Sequence, residues 1–256
     1  MPARSGVRAQ PVSLAALALC AAISLTLPAG AQRATLDAPS SGAAFTPRPA
    51  GFAADSLGIR DLLDISTASV ADLSSDGKWL AMTVSVRRDG LGIDFTRDGD
   101  PTYLRATPIT LLVIDTRTLA QRPVFKTKTA VRGVTWSPDG TRLAMFVIEN
   151  GAQQLQVWDR ATGKAITAKI PAGQYIAENS ELRWSDDGKA LAFALRAESW
   201  KAKVKQRFDE LTKGPVVVLD GNDDFLEWDG MNRMGEARSI VSWDVGTGAV
   251  RTLHAD

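Results

Sequence analysis

One imidazole and one thiol, His254 and Cys20, are all that the 256 residues contain of the two side chains on which zinc centres and proton relays most depend. A serine nucleophile needs Gly-x-Ser-x-Gly, so that it can stand on a strained turn between strand and helix, and no serine here has that context. His254 lies close to Asp256, where a fixed carboxylate to orient it is hard to arrange, and it reads as an exposed tail residue. Asp220, Asn222 and Asp224 alternate like the oxygen ligands of a calcium loop. Phe225, however, stands where glycine should bend the chain, and Met231 where the bidentate glutamate belongs, so this segment reads as a solvated acidic turn. Glu178 and Glu181 read as a solvated pair of loop carboxylates. These residues supply no catalytic, cofactor or metal site, and the chemistry that remains is binding.

The kind of partner is narrowed by charge. Thirty basic and 29 acidic residues leave a net charge of +1, too little field to hold a nucleic acid or an anionic membrane. The 45% hydrophobic and 23% charged residues are ordinary for a globular chain. The N-terminus reads as an export signal over residues 1–31. Arg4 and Arg8 make a basic start, Val12 to Leu27 is almost wholly apolar, and Ala29-Gly30-Ala31 offers the small residues of a cleavage site before Gln32. The apolar run is shorter than the ~20 residues of a spanning helix, which leaves an uncleaved anchor as the alternative. Leu19 stands where a lipoprotein site at Cys20 wants a small residue. Cleavage removes Cys20, so a periplasmic or secreted mature chain has to fold without disulfides and keeps no membrane segment. Residues 32–56, rich in Ala, Ser, Gly and Pro, read as a flexible tether, and the folded part is expected from about Leu57.

Beyond the tether the chain repeats. Leu73-Ser-Ser-Asp-Gly-Lys-Trp-Leu-Ala-Met, Trp136-Ser-Pro-Asp-Gly-Thr-Arg-Leu-Ala-Met and Trp184-Ser-Asp-Asp-Gly-Lys-Ala-Leu-Ala-Phe are three copies of one hairpin, whose Asp-Gly closes a tight turn. A second hairpin follows each, turning at Asp115, Asp159 and Asp244. Two hairpins per unit make a four-stranded antiparallel sheet. Three such units, near 57–124, 131–170 and 176–254, predict an all-β, partial β-propeller of about three blades, with a β-sandwich as the alternative. The two turns lie closest in the middle unit, so the outer units carry insertions. The first, Arg87 to Pro108, is Gly- and Asp-rich (Asp94, Asp98, Asp100) and reads as an extended loop. The third holds one helix, capped by Ser199, striped by Trp200, Val204, Phe208 and Leu211, and stopped at Gly214-Pro215. That stripe packs on its own propeller or makes a contact with a partner domain; the other face carries Lys201, Lys203, Lys205 and Arg207.

At these hairpins the chain resembles the propeller of the prolyl oligopeptidase family of serine peptidases, and the likeness runs from about Leu57 to Leu253. The more specific stretches are Phe208-Asp-Glu-Leu-Thr-Lys-Gly-Pro-Val-Val-Val-Leu-Asp and Asp224-Phe-Leu-Glu-Trp-Asp, similar to an insertion in secreted bacterial members. The Ser-Pro-Asp-Gly turn alone is shared with TolB-like propellers. WD-repeat propellers fit less well, because spacing is irregular and no Gly-His occurs. The resemblance implies a propeller that covers an α/β-hydrolase domain absent from this chain. The expected partner is that missing hydrolase domain or a peptide substrate, and the chain alone is expected to be inactive. The paired glutamates that bind a substrate amine in dipeptidyl-peptidase relatives have no matching motif around Glu178 and Glu181. The alternative is a stand-alone exported module that binds a protein, for instance through exposed blade edges. Three blades do not close a ring of ~4 to 8, so the sequence is expected to be a fragment.

Overall fold

A computed structural model describes residues 58–214 and 226–255. The signal sequence with Cys20, the tether, Pro215, and the Asp220, Asn222, Asp224 and Phe225 positions of the acidic turn fall outside the described residues.

After a short helix, α1 (Ile59–Leu63), the first blade runs β1 (Ser66–Leu73), β2 (Trp79–Val86), β3 (Thr110–Asp115) and β4 (Gln121–Pro123). The second is β5 (Val131–Trp136), β6 (Arg142–Glu149), β7 (Ala152–Asp159) and β8 (Ala165–Thr167). The third comprises β9 (Gln174–Ile176), β10 (Arg183–Trp184), β11 (Ala190–Ala197), two inserted helices α2 (Glu198–Leu211) and α3 (Leu226–Glu236), β12 (Ser239–Asp244) and β13 (Val250–His254). Strands pair antiparallel in chain order within each blade, and β9 and β10 both pair with β11. This is a partial β-propeller of three consecutive blades.

The middle blade shows why the sheets stack. Its strand β6 is apolar without alternation because both of its faces are covered. Leu143, Met145 and Val147 join Ala81, Leu111 and Val113 of the first blade. Ala144 and Phe146 join Leu191, Phe193 and Leu195 of the third. Each Leu, Val, Phe or Met among them contributes about 1.5–3 kcal/mol on leaving water. The first blade has a single neighbour among the described residues, and its β1 stays open, with Val70 68% exposed.

The three first turns repeat atom for atom. The Ser74, Ser137 and Ser185 hydroxyls donate to Asp76, Asp139 and Asp187 Oδ1 at 2.7, 2.5 and 2.7 Å. Each serine oxygen also accepts the backbone N–H five residues on, at 2.9, 3.0 and 2.9 Å. Gly77, Gly140 and Gly188 close the turns at φ 71, 65 and 66°, the left-handed region. Neighbouring turns nest on each other: a Cβ on Gly140 would sit 3.3 Å from that of Ser74, and one on Gly188 3.4 Å from Pro138 Cδ. Across blades, Trp136 N–H donates to Asp72 Oδ2 at 2.7 Å. Arg142 Nη2 donates to the Gly188 carbonyl at 2.7 Å while its guanidinium lies over Trp184.

The second turns follow the same plan. Asp115, Asp159 and Asp244 each accept backbone N–H groups two or three residues ahead. The residue four positions after each aspartate returns its N–H to that aspartate's carbonyl at 2.8 Å with positive φ. It is Gly163 in the second blade and Gly248 in the third, but Leu119 in the first, at φ 60° and 71% exposed.

Two features differ from the sequence reading. The third insertion contains a second helix, α3, where one was expected. Gly230 and Gly235 lower its propensity and Asp229-Gly230 reads as a turn, yet Met231 and Met234 pack on α2 and hold it. Nor does Ser199 cap α2: the helix starts one residue earlier, its N-cap Ala197 makes no side-chain bond, and Glu198 N–H is taken by the Gly173 carbonyl at 2.9 Å. The first insertion is ordered by two 3-10 turns, Arg87–Gly90 and Phe95–Arg97. It is fastened by a buried Asp100 that accepts from Arg97 and Thr102, and by Leu104 packed on Ala130 and Ile148.

Two predictions follow from the turns. Leu119→Gly should raise stability by about 0.5–1 kcal/mol, since relief of the left-handed strain of a leucine exceeds the extra chain entropy of glycine; urea denaturation of the full chain checks this, and an unchanged or lower midpoint would contradict it. The turn aspartates also predict an acid limb. Hydrogen bonds from the Ser74 hydroxyl and from the side chain and backbone of Lys78 bring Asp76 from 3.8 to about 2. Asp187 is lowered by Ser185, and Asp139, despite burial acting the other way, by Ser137 and Thr141. With folded-state values below the unfolded one, this contribution is complete above the ordinary carboxylate range and is lost as pH falls from ~4 toward 2. The urea midpoint should therefore be level near neutrality and drop over that window, and less steeply in an Asp76→Asn/Asp139→Asn/Asp187→Asn variant.

Candidate functional site

In each blade the first strand is disturbed at an equivalent place. It bulges between Val70 and Asp72 in β1 and between Arg132 and Thr135 in β5, where Gly133 has φ 61°. In the third blade the disturbance grows into a loop, Ala177 to Leu182, which divides β9 from β10. This loop carries Glu178 inward. Its side chain is 7% exposed, so the solvated pair expected with Glu181 does not form: Glu181 stays in solvent, 3.5 Å from Arg183.

The partner of Glu178 is Arg196, on β11 where the insertion leaves the sheet, itself 3% exposed. Arg196 Nη1 meets Glu178 Oε2 at 2.6 Å. Its Nε donates to the Ala237 carbonyl at 3.0 Å, and its Nη2 to the Gly235 carbonyl and to Asn179 Oδ1. The guanidinium lies 3.9 Å from the centroid of Trp200, whose indole N–H donates to the Met234 carbonyl at 2.8 Å. A buried cation is tolerable only when it is paired and its donors are used, and here the groups that use them are the loop, α2 and the C-terminal end of α3. One side chain thereby fixes the insertion to the blade.

The loop is also tied to the second blade. Arg132 of β5 donates to the Glu178 and Ser180 carbonyls, and Gln153 Nε2 of β7 to the Ala177 carbonyl at 2.8 Å. Burial lowers the Arg132 pKa, against the pull of Glu178. Where these parts meet α2 there is a cleft of about 510 Å³, bordered by Gln153, Tyr175 and Glu178 and, from α2, by Glu198, Lys201 and Lys205. Three of the lining residues hold a buried polar atom with no hydrogen-bond partner among the described residues: Gln153 Oε1, Glu178 Oε1 and the Tyr175 hydroxyl. Burial, and next the Glu178 carboxylate, push the Tyr175 phenol well above its usual range, although no well-formed hydrogen bond joins the two. The Lys201 ammonium lies 5.5 Å from the Tyr175 ring centroid.

No protein-family model matches the chain. Among solved structures it is similar to TolB from Acinetobacter baumannii, at 17% identity and TM-score 0.40, over 73% of this chain and 32% of that one. It is similar to a prolyl endopeptidase at 12% identity and TM-score 0.46, over 77% and 23% of the two chains. A third, the acylaminoacyl peptidase of Pyrococcus horikoshii, gives 10% identity and TM-score 0.41 over 75% and 25%. The chain thus spans about a third or less of the length of these proteins.

Of the residues singled out from the sequence, Val204, Phe208 and Leu211 are buried together with Met231, and Trp200 packs beside them. The stripe offered to a partner domain is therefore occupied by α3, within the insertion itself. His254 is exposed on β13, opposite Ile240. Among the described residues no helix is long and apolar enough to cross a membrane. Arg196, Gln153 and Tyr175 escaped the sequence reading. The available signal was a lone arginine ending the apolar run Leu191-Ala-Phe-Ala-Leu.

Removing one member of the buried pair strands the other, so Arg196→Leu should cost about 3–5 kcal/mol, and Arg196→Met with Glu178→Met should recover much of the loss. Tyr175→Phe, which deletes a buried hydroxyl without a well-formed hydrogen bond, should leave the urea midpoint level or slightly raised. A large loss in Tyr175→Phe would mean that the hydroxyl has a structural partner.

Proposed function

We propose that this chain is the propeller portion of an exported prolyl oligopeptidase-like serine peptidase, a part that covers and gates a catalytic domain and is catalytically incomplete by itself. The observation that carries this reading is the two-helix insertion clamped to the third blade by Arg196. A plain ring of blades has no need of such a structure, whereas an entrance over a covered site does. The family-like stretches Phe208 to Asp220 and Asp224 to Asp229 belong to this same insertion. Export is supported by the order of basic start, apolar run and Ala29-Gly30-Ala31.

A stand-alone exported module of TolB type is the second reading, favoured by the near-identity of the three Ser-x-Asp-Gly turns and by the exposed face of β1, where another protein can dock. The two readings part at the codon after Asp256. Continuation of the frame into further blades and a Gly-x-Ser-x-Gly motif supports the first, and a stop codon with a stable soluble monomer supports the second. On either reading the purified chain should turn over no peptide anilide and should take no label from a serine-directed phosphonate; turnover blocked by that phosphonate would overturn both. Mass spectrometry of the exported protein should find Gln32 at its N-terminus.

A further inference from the structure

We propose that the cleft where the chain leaves the third blade for α2 and returns to it from α3 binds a small dianion, a phosphoryl group or a pair of carboxylates. This cleft, of about 460 Å³, shares no lining residue with the one that Glu198 and Lys201 border. The polar and aromatic side chains that shape it include Gln174, Arg196, Ser199, Trp200, Lys203 and Arg238. Three of these are cations, and no carboxylate is among the lining residues. The inference concerns the insertion alone and holds whichever module reading is right.

The positive charge is not cancelled within the protein. Arg196 is matched by Glu178, and its N–H groups are engaged by Ala237, Gly235 and Asn179. The side chains of Lys203 and Arg238 make no ion pair, hydrogen bond or ring contact among the described residues, so two positive charges remain. On the same helix Lys205 and Arg207 pair with Asp209 and Glu210. The positions four residues from Lys203 are Ser199 and Arg207, so helical spacing offers it no carboxylate. Glu198 borders the other cleft, and Glu236, two residues before Arg238, is exposed and outside the lining. Arg238 is half-buried, and it and Arg196 each stand one residue beyond the last pair of the ladder between β11 and β12, Leu195 with Ser239. Like charges facing each other across a ladder repel, and partial burial reduces their screening by salt.

The ligand class follows from that excess. An ammonium is repelled, a neutral group leaves both cations unmatched, and a monoanion leaves one. A dianion matches both. The Arg238 guanidinium offers a planar fork of N–H donors to the edge of a phosphate or carboxylate, and Lys203 adds a point charge. The Ser199 hydroxyl and the Gln174 amide supply neutral donors at the same cleft.

The two sources of such a dianion separate by titration. The full chain would be titrated slightly above neutral pH, at constant ionic strength, with inorganic phosphate and with succinate, and followed by NMR through the Trp200 indole N–H. Acetate and ethylenediamine are the controls of lower and of opposite charge. Saturable binding of phosphate or succinate, at least about fivefold tighter than either control, is expected, and the tighter of the two identifies the source. Arg238→Gln should weaken that binding about tenfold or more, as loss of a charge-assisted contact in a half-buried place, and Lys203→Gln about twofold to fivefold, as loss of an exposed charge. Lys169→Gln removes an exposed cation outside the cleft and should leave binding level. Lys203→Gln, on the exposed side of α2, carries the test if Arg238→Gln fails to fold. Absence of saturable binding, a control that binds as tightly, or a loss in Lys169→Gln equal to that in the cleft variants would each overturn the proposal while leaving the propeller reading untouched.

Discussion

A four-stranded sheet has two faces and no interior, so a blade of this kind gains its core only from the blades on either side. That constraint explains the middle blade, whose β6 is apolar at consecutive positions from Leu143 to Ile148 and which supplies side chains to two separate clusters. It explains the outer blade as well. With a neighbour on one side only among the described residues, Ala81, Leu111 and Val113 are buried while β1 is largely exposed.

The turns provide register. Packing of apolar faces is non-directional and tolerates sliding, whereas a turn nested on its neighbour does not. A Cβ on Gly140 would press on that of Ser74 at 3.3 Å, and one on Gly188 would touch Pro138 Cδ at 3.4 Å. Directional contacts reinforce the same alignment: the Asp72 carboxylate receives the Trp136 N–H, and Arg142 reaches the Gly188 carbonyl. The turn aspartates thus close their own hairpins, while Asp72 and Arg142 hold neighbouring blades level.

How much of this was legible depends on the range of the interaction. The blades were, because Ser74-Ser-Asp-Gly and its two copies encode a local turn whose bonds span five residues. Helix α2 was, from the spacing of Trp200, Val204, Phe208 and Leu211. Helix α3 was not, since Gly230 and Gly235 obscure a helix whose stability comes from Met231 on α2. Leu119 was hidden because nothing in its identity announces a left-handed backbone. The Glu178–Arg196 pair was invisible for a different reason. The contact joins a loop to a strand across a break in β9 and β10, and a glutamate beside Asn179 and Ser180 has every mark of a solvated residue until the fold folds it in.

That pair also bears on why the third blade differs from its fellows. A buried ion pair is weak support for stability, because its desolvation offsets much of its attraction and apolar side chains could fill the same space. What hydrocarbon cannot do is accept and donate in fixed directions. Arg196 reads the carbonyls of Gly235 and Ala237, the face of Trp200 and the carboxylate of Glu178 together, so the chain must leave the sheet, run through both helices and return at one place and in one orientation. Gln153 and Tyr175 are then placed by the second blade and by β9 at the margin of that fixed point, Gln153 donating to the Ala177 carbonyl and Tyr175 lying close to Glu178. The single fixed point set by the arginine is therefore a property of the insertion rather than of the propeller that carries it.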